Sequence, residues 1–251
     1  MRAVPVALAL LAVPQIAQAG RTEYGWLYGT EALPEKSVEV QQWVYERNGI
    51  ELVDPGSGAA VKSKDTLLWW GVLIGLTDQL ELALPIEFLW RDAGGKSSFT
   101  VEKFGIEARY RLTKQDQEHP DGVEPLIRIA AKRDVLERDA VLTEGDLILG
   151  YRSGRFGTEF DLGMAARFTK DKNVFELRPG IGVSIEVKKG LRFGAEAYAE
   201  VFVDDALKKQ RWLGVGPNMS WTSGRFWLSG SFLIGVSQID TAPRVIWGVL
   251  F

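Results

Sequence analysis

The stretch Leu191-Arg192-Phe193-Gly194-Ala195-Glu196-Ala197-Tyr198-Ala199-Glu200-Val201-Phe202-Val203 places Leu191, Phe193, Ala195, Ala197, Ala199, Val201 and Val203 at odd positions and Arg192, Glu196 and Glu200 among the even ones. A period of two sends alternate side chains to opposite faces of a strand, whereas a helix would scatter both sets around its axis. One face is therefore apolar and the other carries the charges. Phe175 to Val187 repeats the pattern, with Phe175, Leu177, Ile181, Val183 and Ile185 opposing Glu176, Arg178, Gly180, Gly182 and Glu186. Arg155 to Phe168 does so again, with Phe156, Phe160, Leu162 and Met164 opposing Glu159, Asp161 and Arg167.

Working outward from these three, the alternation predicts twelve strands, at 37–47, 66–76, 80–91, 99–112, 124–133, 145–152, 155–168, 173–187, 191–203, 211–221, 225–236 and 243–251. Most are longer than the ~5 to 6 residues of an average soluble strand and match the ~9 to 11 that a tilted strand needs to cross a bilayer. From the second strand on, alternate links are tight, as in Thr77-Asp78-Gln79, Ser153-Gly154, Lys188-Lys189-Gly190 and Thr222-Ser223-Gly224, with the exception of the long polar link Lys114 to Val123. The links between them (48–65, 92–98, 134–144 and 204–210) are longer. Short turns on one rim and longer loops on the other are the pattern of a transmembrane β-barrel. Closure pairs every backbone group that hydrocarbon would otherwise strand, and an even strand number puts both chain ends on one side. The expected fold is thus all-β, an antiparallel up-and-down transmembrane barrel of about twelve strands over 37–251, with short periplasmic turns and longer extracellular loops. Trp90, Tyr110, Tyr151, Phe156, Phe168, Trp221, Phe226 and Trp247 near strand ends are the expected interfacial girdle. Pro85, Pro179 and Pro217 oppose the scheme, because each removes a ladder donor, and they require bulges or breaks. The competing class is a secreted soluble β-sandwich, which would bury its apolar rows against a second sheet.

Composition narrows the chemistry. The 251 residues hold no Cys and a single His, His119, with a formal net charge of -3. Thiolate catalysis, disulfides and Cys-based zinc sites are absent, and one His cannot form a cluster. Thirty Lys and Arg against 33 Asp and Glu, without a basic block, leave no footprint for nucleic acid. Met1-Arg2, the apolar run to Pro14 and Ala17-Gln18-Ala19 read as a secretory leader over residues 1–19. Residues 20–36, including Tyr24-Gly25-Trp26-Leu27-Tyr28, fit a periplasmic segment, an inward plug or an extra strand.

The C-terminal Arg244-Val245-Ile246-Trp247-Gly248-Val249-Leu250-Phe251 sets Val245, Trp247, Val249 and Phe251 on one face and ends on an aromatic residue. This resembles the last strand of Gram-negative outer-membrane β-barrels, porin-like proteins among them. The resemblance implies a place in the cell outer membrane, contact with outer-membrane lipids, and recognition of those four residues by the barrel-assembly machinery. Gly75-Leu76-Thr77-Asp78-Gln79-Leu80-Glu81-Leu82 resembles a hairpin of porin-like families linked to aromatic-compound degradation, and covers a hairpin only.

Function has to come from the lumen face, since fold does not specify it. The candidate solute path is Glu81, Glu87, Glu107, Arg109, Arg111, Arg128, Lys132, Arg152, Glu159, Asp161, Arg167, Glu176, Arg178, Arg192, Glu196 and Glu200. Asp146, Glu186, Arg91, Lys103, Arg155 and Arg244 share that parity, so ten acids face twelve bases. Such balance supports either a ladder of ion pairs that fills the interior or two charged walls along a pore. Inward glycines (Gly105, Gly157, Gly163, Gly180, Gly182, Gly194, Gly214 and Gly216) are expected to leave room beside the long side chains. The favoured function is a porin-like channel for small polar or charged solutes. The alternatives are a plugged structural or surface-interaction barrel and, behind it, an outer-membrane hydrolase. Against catalysis, His119 sits in a polar link beside Glu118 and Asp121, where a solvated turn histidine is the simpler account. No cofactor is expected, as Gly180-Ile181-Gly182 lacks a third glycine and a following helix. No metal site is expected either, because Asp204-Asp205 has no further ligands at calcium-loop spacing.

Overall fold

A computed structural model describes residues 22–53, 60–114, 121–203 and 211–251. The expected leader, His119 and Asp204-Asp205 lie outside the described residues. The strands are β1 (Val38–Val53), β2 (Ala60–Gly75), β3 (Leu80–Ala93), β4 (Lys96–Arg111), β5 (Gly122–Asp134), β6 (Val141–Ser153), β7 (Phe156–Phe168), β8 (Asn173–Lys188), β9 (Leu191–Phe202), β10 (Trp212–Ser223), β11 (Phe226–Ser237) and β12 (Thr241–Leu250). Each pairs antiparallel with its neighbours in sequence, and β1 pairs with β12 to close the barrel, with Val40 opposite Val249 and Trp43 opposite Ile246.

The faces are inverted relative to a soluble protein. Along β5, Glu124, Leu126, Arg128, Ala130, Lys132 and Asp134 are buried inside, while Val123, Ile127 and Ile129 are exposed outside. Leu84 and Ile86 on β3, Phe104 and Ile106 on β4, Phe160, Leu162 and Met164 on β7, and Ile181, Val183 and Ile185 on β8 continue the exposed apolar rows around the wall. Water would penalise so large a greasy surface, and acyl chains would not. A slip of one residue would reverse every side chain, so the hydrophobic pattern also fixes the register. Trp90, Tyr110, Tyr151 and Trp221 are exposed on the same outer surface, and Trp247 packs edge-on against Trp70 at 5.9 Å.

Several strands outrun the alternation. The link expected over 92–98 is a two-residue turn, with Gly94 at φ 56° and Gly95 at φ 73°, backbone that a side chain rarely adopts. β1 runs to Val53 and β2 starts at Ala60, both inside the link expected over 48–65, because the two strands continue through polar sequence. There Asp65 takes Arg91 at 2.6 Å and Lys64 takes Glu46 at 2.5 Å. Beyond the hydrocarbon both faces can be polar, so the period fades while the backbone ladder continues. The three prolines lie at breaks. Pro85, Pro179 and Pro217 oppose Gly71, Leu162 and Ala195 on one side. On the other side the ladder skips two residues and resumes in the same register.

Candidate functional site

The interior has two chemically different arcs. On β3 to β8 many of the inward charges form one connected network. Arg128 meets Glu107 at 2.7 Å and both Glu144 and Asp146 at 2.6 Å. Lys132 joins Glu144 at 2.9 Å to Glu87 at 2.7 Å, and Arg178 reaches Glu176 at 3.0 Å and Glu144 at 3.5 Å. Local register explains the arrangement, since Arg128 lies opposite Asp146 on β6 but also opposite Arg109 on β4. Like charges in that position repel. Glu107 relieves the clash with one oxygen on each guanidinium, at 2.8 Å to Arg109 and 2.7 Å to Arg128.

The other arc, on β1, β2 and β9 to β12, adds aromatic and aliphatic clusters between its buried polar side chains, Glu39, Asp65, Glu196, Glu200 and Arg244 among them. Trp43 stacks on Trp69 at 4.4 Å among Leu73, Ala83, Trp227 and Ile246, and a second cluster gathers Ile50, Tyr198, Trp212, Leu233 and Ala242. The sequence reading had ionised side chains enclosed and greasy ones outside. The structure corrects this at two clusters, where greasy side chains also point inward. In β2 the run Leu67 to Gly75 is apolar on both faces, so alternation carries no signal there.

Residues 22–36 form no strand and run through the lumen from the turn side toward its middle and back. Tyr24, Trp26 and Leu27 join the second cluster, and Leu33 joins the first. The barrel holds this segment largely by its backbone. Gly25 N–H donates to Glu196 at 3.0 Å, Tyr28 N–H to Asp161 at 3.2 Å and Leu33 N–H to Glu81 at 2.7 Å. Thr30 donates its hydroxyl to Glu124 at 2.8 Å, and the Trp26 indole donates to Ala242 O at 3.0 Å. Glu23 pairs with Arg152 at 2.7 Å and Arg192 at 2.9 Å. Carboxylates that accept backbone amides make strong, charge-assisted bonds and require no particular side chain.

The segment also explains three of the inward glycines. A Cβ at Gly180 would strike Leu27, one at Gly182 would strike the Tyr24 ring, and one at Gly157 would approach Glu23 to 2.7 Å. These three positions make room for the N-terminal segment, which corrects the expectation there, whereas Gly163 lies beside Asp146 and Arg178 as expected.

What stays unfilled is a small chamber toward the loop end, of about 90 Å³. Trp26 and Tyr28 line its inner end, Trp43, Tyr45, Trp69 and Arg244 one wall, and Glu87, Lys103, Lys132, Glu144, Asp146, Asp161 and Arg178 the opposite one, with Arg47, Glu102, Tyr198 and Glu200 beside them.

The sequence-selected residues therefore separate into groups. Glu87, Lys132, Asp161, Arg178 and Glu200 face the chamber. Glu81, Arg152, Arg192 and Glu196 hold the N-terminal segment. Glu107, Arg109, Arg111 and Arg128 are buried in ion pairs below, with Arg111 on Glu124 at 2.8 Å, and Glu159 is buried on the same inner face. Arg167 sits at the loop rim against Asp134 at 2.9 Å, half out in solvent, and Glu176 is bound by Arg178. Arg155, given the same parity, is exposed in the turn between β6 and β7. Arg47, Glu102 and Glu144 were missed. Glu144 precedes the expected start of its strand by one residue, and Arg47 ends one that continues. Val245, Trp247 and Val249 share the outer face of β12, followed by exposed Phe251. Among the described residues no cluster of three or more metal-ligating side chains occurs.

No family model and no curated protein matches the chain. Solved structures do. An outer-membrane channel from Pseudomonas putida F1 superimposes with a TM-score of 0.62 at 11% identity, covering 88% of this chain and 98% of that one. The translocator domain of the autotransporter NalP from Neisseria meningitidis gives 0.56 at 12% identity over 88% of this chain and 90% of that one. The NanC porin gives 0.50 at 9% identity over 84% and 98%. The fold is that of the outer-membrane β-barrel channels and porins, and these neighbours are channels, porins and translocator domains rather than enzymes.

Proposed function

We propose that this porin-like barrel resides in the outer membrane and admits small polar or charged solutes from the loop side into its chamber, with residues 22–36 closing the way to the periplasm. One observation carries the reading. The inner end of the chamber is a segment outside the ladder, seated by hydrogen bonds, ion pairs and packing, so it can leave while the closed sheet stays paired. Barrels of eight strands are filled by side chains and those of ~16 to 18 hold an aqueous channel, so a twelve-strand barrel has room that a segment must occupy to close it. The leader and the Val245, Trp247, Val249 and Phe251 face support export and insertion by the barrel-assembly machinery into outer-membrane lipid.

The second reading is a plugged scaffold without transport, which the filled turn-side half favours. Planar-bilayer conductance separates the two. Wild type is expected to show small or brief openings, and deletion of residues 22–33 a larger, steady conductance from a barrel that keeps heat-modifiable gel migration. A folded deletion variant that conducts nothing would reject the channel.

A further inference from the structure

We propose that Arg244 is the anchor of a carboxylate-binding subsite in the loop-side chamber. The proposal rests on reading that chamber as the solute-binding end of the barrel.

The cations of the charged wall are already neutralised. Lys103 reaches Glu87 at 3.3 Å, Lys132 reaches it at 2.7 Å, Arg178 holds Glu176, and Arg47 holds Glu200 at 3.0 Å. Arg244 differs. Among the described residues no carboxylate lies within ion-pair distance of it, its one hydrogen bond is a long 3.4 Å contact with Trp26 O, and its Nε, like that of Arg47, has no partner. It is only 7% exposed. Guanidinium carries five N–H donors and stays charged, so burial with most of them unmet costs free energy that a bound anion would recover. Three rings surround it, Trp43 at 4.5 Å, Trp26 at 5.2 Å and Tyr45 at 5.3 Å. They hold the cation in place without using its donors.

Geometry and charge select the anion. A planar guanidinium binds a planar carboxylate through two parallel hydrogen bonds, and rings beside it favour a flat ligand. Six carboxylates against five cations line the chamber, so a doubly charged phosphate meets more repulsion than a monoanion. Arg244 belongs to the segment whose outward residues resemble an assembly signal, and its inward residue serves a separate purpose.

The test is calorimetric titration of the detergent-folded full chain with acetate, benzoate, neutral benzamide and inorganic phosphate. Saturable binding of the two carboxylates but not benzamide is expected, and Arg244→Gln should weaken it at least about tenfold, as loss of charged hydrogen bonds would. Because Arg244 also touches Trp26, Thr30→Val serves as a control. It loosens the same segment at Glu124 and should keep the binding. Unchanged affinity in Arg244→Gln, equal loss in Thr30→Val, or phosphate as tight as acetate would overturn the assignment. A conducting wild type that binds no carboxylate removes the subsite and leaves the channel. Binding that depends on Arg244 in a barrel that never conducts does the reverse.

Discussion

Arg128→Gln removes the cation on which three buried carboxylates converge. The survivors are not equal. Glu107 keeps Arg109 at 2.8 Å and Glu144 keeps Lys132 at 2.9 Å, whereas Asp146 has, among the described residues, no other cation within ion-pair distance. Stripping one partner from a buried pair costs about 3 to 5 kcal/mol. Asp146 lines the chamber and keeps some access to water, so the lower end, about 3 kcal/mol, is expected, or roughly a hundredfold in the folding constant. Urea unfolding in lipid vesicles measures it, with migration on unheated gels as a check on closure. The double variant Arg128→Gln/Asp146→Asn should recover most of the loss, because it removes the stranded charge together with its partner. A single-variant loss below about 1 kcal/mol, or a double variant no better than the single, would show that the network does not exist as described.

Gly182→Val should drive out the N-terminal segment, because its side chain would overlap Tyr24 and Leu27, and bilayer recordings should show more frequent opening; recordings like wild type would contradict the seating of that segment. Ile129→Arg, on the exposed outer row, should cost about 2 to 4 kcal/mol in vesicle unfolding, and a negligible cost would mean that this face does not meet hydrocarbon. Removing Phe251 should lower the amount of inserted barrel made in cells while the purified chain still refolds in detergent; equal cellular yields would show that the terminal residue is not read.

The wall was legible because a half-buried strand with one polar face writes its geometry at a period of two, as 191–203 does. The ends of β1 and β2 were not, since Glu46, Arg47, Lys64 and Asp65 continue a ladder past the point where sidedness stops. The apolar lumen face of β2 was hidden for the opposite reason, with Leu67, Trp69 and Leu73 inside and Trp70, Val72 and Ile74 outside, all apolar. Residues 22–36 carry no period, and their partners Glu81, Asp161 and Glu196 lie far along the chain and bind backbone amides, which every sequence offers. Gly163 was read correctly as room beside charged side chains, and Gly180 and Gly182 were not, because the sequence names no occupant for them.

The central claim is that residues 22–36 close the barrel, and the absence of cysteine permits a reversible test. A Cβ at Gly150 would lie 3.0 and 3.1 Å from the branch atoms of Thr30, close enough for a disulfide between Thr30→Cys and Gly150→Cys. Conductance of this double variant in a planar bilayer should vanish when oxidised and return on addition of a reductant. Equal conductance in the two states, with the disulfide confirmed by mass, would show that solute passage does not depend on the segment leaving its seat.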